Sequence, residues 1–548
     1  MKARAFLLAM LATALTLLSF GLGSWWVILQ SNVLRLEGQP LRLPVAARFI
    51  PRTAFMSFHL LTTPDRLVHY SRAVALPRQR SEAEQIVSNI RDEVFLLADL
   101  DYSSELEDWI GTETSLALFA PAIGNEDRGW LLILNSGQLR TTRRFLQRFW
   151  EARRVPTSDL TIKNYRGIGL ISGYGSLPGQ KSKLFATALI DKTTLLIASS
   201  PNILKEALEV SEVDELNQAH DPHVLESINK LENGVALLIA QPEAVGSQLK
   251  LPEQPNVNNN LPKLVAALTP INHQSMINSL MINSFLYFHD EFPISLRMKG
   301  TNFLQNLGGD VKALALVNGP NLLNNPKLAQ DYPWLIAFIN ILDDTIVDYG
   351  GPFLSSIIKT TAEPFLWADT SRGWLLGTGI NDQNSIELRD SFKKQGLVET
   401  SLVVDDLPTN AWTRVKVNQK ASKSNNRLVD DYDVEASLAG ARQELDNSVW
   451  WGQNVQVLQE RKVNPRGGLS ILTQLESLDT DQSNYNIVLT AEPAQTTIAK
   501  WKPWAWLQRL SNQQLTSKVQ GIAISVVSDQ ELSKSNNIVN IKTSILFD

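Results

Sequence analysis

The sequence predicts an α+β protein: antiparallel sheets with packed helices, built as two related halves behind an N-terminal transmembrane helix. Three observations lead there. Apolar β runs recur in hairpin-spaced pairs, as at Leu184–Ile190 and Thr194–Ala198 around Asp191-Lys192. The run Arg128-Gly129-Trp130-Leu131-Leu132 returns unchanged as Arg372-Gly373-Trp374-Leu375-Leu376. The chain also opens with a stretch, Ala5 to Leu29, that carries no charge.

As a helix that first stretch is roughly 37 Å long, enough for a hydrocarbon core of about 30 Å. Lys2 and Arg4 before it favour a cytoplasmic N-terminus, and Trp25 and Trp26 suit the far interface. A cleaved signal peptide is the rival reading, with Ala5–Leu18 as its apolar region. Both readings export the body from the cytoplasm. The expected organisation is a cytoplasmic tip and anchor over 1–32, a stalk over 33–47, a first α+β half over 48–300 and a second over 301–548.

Composition narrows the function. Of 548 residues, 44% are hydrophobic and 20% charged, which is a globular balance. The net charge of −5 argues against a nucleic-acid partner. With no cysteine, thiol nucleophiles, disulfides, iron–sulfur clusters and cysteine zinc sites are all excluded.

Along the body an apolar strand repeatedly runs into a polar or small residue, a proline and a helix. This happens at Phe58–Pro64 and Leu195–Pro201, and more weakly at Ala236–Pro242, Ala315–Pro320 and Ile487–Pro493. Proline suits the first helical turn, where its missing N–H is no loss, and Thr63 or Ser200 is placed to cap it. Ser81-x-x-Glu84 is a capping box ahead of Ile86, Ile90, Val94 and Leu97 at helical spacing. Ser115–Phe119 reads as a strand. Helices are expected over Leu139–Arg154 and Asn384–Lys394, each following a copy of the five-residue repeat. Further hairpins are expected at Ser284–His289 with Ile294–Met298, and at Gly521–Val527 with Ile538–Phe547.

The N-terminal run, Ala46-Ala47-Arg48-Phe49-Ile50-Pro51, Pro64-Asp65-Arg66-Leu67, Trp109-Ile110-Gly111 with Glu113, Phe145–Trp150 and Leu196–Pro201 together resemble a family of membrane-anchored proteins of unknown function, known mainly from cyanobacteria. The resemblance implies a cell-envelope or thylakoid membrane, with the body in the periplasm or thylakoid lumen, and no assigned activity, so it brings no catalytic residue, cofactor or metal.

Candidate chemistry is sparse. His220-Asp221-Pro222-His223 is the one close histidine pair, but proline interrupts it and no third ligand is near. Asp479–Asn484 alternates oxygen ligands like a calcium loop, yet lacks its glycine and distal glutamate; Asp430–Asp433 is a weaker version. Gly173–Gly179 is neither a nucleophile elbow nor a P-loop. The helix Leu139–Arg154 aligns Arg140, Arg144 and Arg148 on one face, with Phe149 and Trp150 on its apolar side. It and the cluster of Trp501 and Trp504 are the expected membrane or partner contacts. The expected role is therefore non-catalytic: binding, scaffolding or assembly beside a lipid bilayer or a membrane protein complex. A carrier of an apolar or lipid ligand and a hydrolase with a dispersed site are the alternatives.

Overall fold

The computed structural model describes residues 36–548 apart from 97, 121–128, 137–138, 154–159, 177–181, 249–260, 274–275, 290–302, 318–349, 362–363, 381–384, 425–426, 446–447, 462–470, 472–473, 476–477, 479–482, 484 and 529–536. The chain divides into two compact units. One comprises Met1–Ile239, Ala266–Asn272 and Arg509–Gln513; the other comprises Ala240–Val265, His273–Gln508 and Gln514–Asp548.

In the first unit the strands are β1 (Met56–Leu60), β2 (Ile110–Leu118), β3 (Trp130–Ser136), β4 (Thr161–Tyr165), β5 (Ile168–Gly175), β6 (Lys183–Ile190), β7 (Thr194–Ala198) and β8 (Ala236–Ala240). Helices α1 (Pro64–Val74) and α2 (Arg80–Leu96) connect β1 to β2. Helix α3 (Leu139–Ala152) follows β3, and α4 (Pro201–Val210) and α5 (Pro222–Leu231) follow β7. Sheet order is β4-β5-β6-β7-β3-β2-β1-β8. The β6–β7 hairpin turns through Asp191 and Lys192, both at positive φ (48° and 65°). They are the central residues of a tight turn closed by the Thr193 N–H donating to Ile190 O at 3.2 Å, within a three-residue loop, 191–193. At the β7 corner Ser200 caps α4 by accepting from the Ile203 N–H, whereas Thr63 makes no such side-chain bond to α1.

The second unit begins with α6 (Pro242–Gln248), and β9 (Lys263–His273) shares residues with both units. Strands β10 (Met276–Tyr287), β11 (Val311–Val317), β12 (Phe365–Thr370) and β13 (Gly373–Gly379) follow, with the helical stretch α7 (350–360) before β12 and α8 (Ser385–Lys394) after β13. Then come β14 (Leu397–Val404), β15 (Leu407–Ser424), β16 (Arg427–Leu445), β17 (Ser448–Gly452), α9 (Val455–Glu460), β18 (Tyr485–Thr490), α10 (Ala491–Ala499), α11 (Lys502–Ser511), β19 (Val519–Ser528) and β20 (Ile538–Phe547). Sheet order is β14-β15-β16-β17-β13-β12-β11-β18-β19-β20-β10.

The first eight positions of that order repeat those of the first unit, strand for strand. The registers repeat as well. With Trp130 matched to Trp374, the pairs Leu131–Ala198 and Leu132–Ile197 correspond to Leu375–Gly452 and Leu376–Trp451. The five-residue repeat opens β3 and β13, and its glycine has a steric reason in both places. A Cβ on Gly129 would sit 2.3 Å from Ile203 Cδ1, and one on Gly373 2.4 Å from Gln453 Oε1. Gly373 also has φ near 127°, where side chains are strained.

Two expectations are corrected. All twenty strands are part of one antiparallel sheet instead of several, because hairpins read locally do not show which further strand each edge pairs with. Among the described residues no helix is long and apolar enough to cross a membrane. The longest described helix, α2, has 17 residues and carries Glu82, Glu84, Arg91, Asp92 and Glu93, whose charges a hydrocarbon core would reject. The expected span, 5–29, lies outside the described residues. The single-pass topology, with cytoplasmic tip and exported body, is therefore unsupported and is set aside. The expected partner strand 294–298 also lies outside the described residues; β10 pairs instead with β20.

Candidate functional site

The first unit contains a serine–histidine pair that the sequence did not flag. Adjacent strands β1 and β2 run antiparallel, and their register sets His59 opposite Ser115. His59 Nδ1 lies 2.8 Å from Ser115 Oγ and its Nε2 3.2 Å from Ser57 Oγ, while Ser57 Oγ donates to Gln218 Oε1 at 2.9 Å. Ser57, His59, Ser115 and Gln218 are all fully buried. Burial holds His59 down from 6.5 to about 4, with hydrogen bonding to Gln218 opposing weakly, so the imidazole is neutral at pH 7. A nucleophile needs a substrate within about 3 Å, and no solvent reaches either serine. The relay is a sealed internal clamp between strands. Its counterpart in the second unit is wholly apolar: by register Ser57, His59 and Ser115 correspond to Leu314, Leu316 and Leu366.

The predicted contact helix is split between core and solvent. Phe149 and Trp150 of α3 are buried, their rings T-shaped at 5.3 Å, and Trp150 Nε1 donates to Thr187 Oγ1 at 3.0 Å. Arg140, Arg144 and Arg148 are exposed on the opposite face. The segment 97–109 packs Leu100, Tyr102, Leu106 and Trp109 against these rings. Arg153 seals it: with its side chain fully buried, it lies 4.1 Å over the Phe149 ring and pairs with Glu105 at 2.8 Å. Trp504 is also a core residue, stacked on Phe547 and donating to Thr516 Oγ1 at 3.0 Å, and Trp501 is half-buried. These tryptophans lie in the second unit and α3 in the first, so the predicted residues do not form one patch within either unit.

The second unit has a cavity of about 70 Å³ at the place corresponding to that plugged aromatic core. Helix α7 contributes Ile357, Thr360 and Thr361, and α8 contributes Leu388, Arg389 and Phe392. Thr378, Val449 and Trp451 come from β13 and β17, and Glu399, Asn410, Trp412 and Arg442 from β14–β16. Phe353 stacks on Phe392 at 4.6 Å and Trp412 lies 5.3 Å from Trp451, which fixes the apolar wall. Gly440 makes this packing possible, since a Cβ there would lie 2.3 Å from the Phe353 ring. The polar wall is held too. Arg442 lies 5.6 Å over the Trp451 ring and pairs with Glu444 at 2.6 Å, and Asn410 Nδ2 donates to Glu399 Oε1 at 2.8 Å.

Other sequence candidates resolve into local structure. Asp221 caps α5 through the His223 N–H at 3.0 Å, and Asn217 Oδ1 accepts from the His220 N–H at 3.2 Å. Among the described residues no group of three or more metal-ligating side chains converges. Asp430–Asp433 lies within strand β16. Most of Asp479–Asn484 and of the loop after Gly175 is outside the described residues.

The fold and cavity define a class: a sheet-and-helix protein with a sealed histidine clamp in one unit and a small polar cavity in the other. Residues 10–280 match the sequence model of an uncharacterised domain family described as "Protein of unknown function (DUF3352)". The match supports neither the cyanobacterial source nor the membrane anchor that the resemblance implied. No curated protein matches the chain. Two solved structures, crystal forms I and IV of TP0453, are similar at 11% and 12% identity. They cover 46% and 47% of this chain and 81% and 82% of their own, with TM-scores of 0.26 and 0.25. Similarity at that level carries no argument about this protein.

Proposed function

We propose that the chain is a non-catalytic binding protein made of two copies of one domain, the second adapted to hold a small ligand. The cavity beside α7 and α8 carries this reading. It is walled by aromatic side chains and floored by polar ones, the usual make-up of a ligand site. A lipid or any drug-sized ligand would need a pocket of roughly 300–1,000 Å³, well above the 70 Å³ found, so the cavity fits a group of only a few heavy atoms. A hydrolase would need its serine open to substrate, and Ser115 is sealed.

Native mass spectrometry of the full chain, purified without denaturant, tests the proposal. A small molecule should be retained. It should be lost in Thr378→Leu, which places on β13 the residue that the first unit carries at the corresponding position, Leu134. An empty wild-type protein, or equal retention by the folded variant, would contradict the reading.

A further inference from the structure

Position-by-position comparison of the two units names the chemistry of the ligand. The strand registers fix the correspondence: Arg442 of the second unit stands where the first has Thr187, Asn410 where it has Ile171, and Thr378 where it has Leu134. Two apolar positions and one neutral hydroxyl of the first unit thus become a threonine, an asparagine and an arginine facing one cavity, which Arg389 of α8 also lines.

The cover changes in parallel. The first unit inserts the segment 97–109 between α2 and β2 and buries four large apolar side chains with it. The second unit has only 361–364 between α7 and β12. Among the described residues the niche is plugged in the first copy and open in the second.

We propose that this niche is a binding site for the oxyanion group, carboxylate or phosphate, of a small organic anion. The proposal rests on the reading of the chain as a binding protein. Arg389 and Arg442 line the cavity against a single carboxylate, Glu399, whose Oε1 is already engaged by Asn410. Arg442 is oriented by Glu444 and by stacking on Trp451, which leaves the rest of its planar fork for a ligand oxygen. Arg389 is exposed and makes no ion pair among the described residues, so its guanidinium donors are available to a ligand, although Glu399 and Glu444 balance the two arginines in formal charge. Thr378 adds a hydroxyl at the wall, whereas the hydroxyls of Thr360 and Thr361 donate to backbone carbonyls of α7.

The test is a titration of the full chain with acetate and with inorganic phosphate, acetamide serving as the neutral isostere of acetate, read by the indole N–H signals of Trp412 and Trp451. One of the anions should shift both signals saturably, acetamide should not, and Arg389→Gln should weaken the anion at least tenfold. Arg389 is exposed, so this variant keeps the fold, and an unchanged unfolding curve verifies it. Which anion binds separates a carboxylate ligand from a phosphate one. Equal response to acetamide, undiminished binding by Arg389→Gln, or no binding of either anion would overturn the proposal. Retention of a neutral molecule in the native mass spectrum would also overturn it while leaving the binding reading intact.

Discussion

Acid should loosen the first unit through one side chain. His59 is fully buried and its pKa is lowered from 6.5 to about 4 by loss of hydration. Below pH 6.5 the unfolded chain takes up a proton that the native imidazole refuses, so stability falls as pH drops from about 6.5 towards 4 and then levels off. At about 1.36 kcal/mol per unit, the full loss is about 3 kcal/mol, of which about 2 kcal/mol is gone by pH 5. The assay is native-state hydrogen exchange of the β1 and β2 amides at pH 7, 6 and 5, corrected for intrinsic exchange, because a local readout does not require the two units to unfold together. His59→Gln cannot titrate in this range and keeps a hydrogen-bonding side chain. It should be less stable at pH 7 but flat between pH 7 and 5. If wild type and His59→Gln lose protection in parallel, the imidazole is not the group that senses pH and the clamp has been misjudged.

Further outcomes follow from packing. Glu105→Ala should cost the first unit about 3–5 kcal/mol in denaturant melts, because it strands a buried guanidinium; Arg153 is that group. Phe149→Ala, at the centre of the plugged core, should cost about 3–5 kcal/mol by the same measurement. Gly440→Ala forces a methyl into the Phe353 ring and should destabilise the second unit by about 1–3 kcal/mol, seen as a lower unfolding midpoint. Arg144→Ala, on the exposed face of α3, should change stability by less than about 0.5 kcal/mol.

What was legible in the sequence was local. The Asp191-Lys192 turn, the strand entering Pro201 and the strands opened by Trp130 and Trp374 are set by neighbours in the chain, so short-range patterning finds them. The long β15–β16 hairpin escaped because its arms mix polar and charged residues with few apolar ones. The His59–Ser115 contact escaped for another reason: it exists only through the register of β1 on β2. Polar Ser57 and His59 alternating within a strand entered by Met56 and Phe58 were the one available hint. The cavity could not be read at all. Its lining runs from Ile357 to Trp451, across helices and strands that only the folded chain brings together. The arginine face of α3 was legible as a face, but its aromatic side proved to be core, since an apolar stripe at helical spacing packs inward when a sheet is available.

Labelling every tryptophan with 5-fluorotryptophan and following the 19F resonances during anion titration tests the site most directly. The account predicts that Trp412 and Trp451 shift while Trp109, Trp130 and Trp150 of the plugged first unit stay still. Movement confined to the first-unit resonances, or none anywhere at saturating anion, would contradict it.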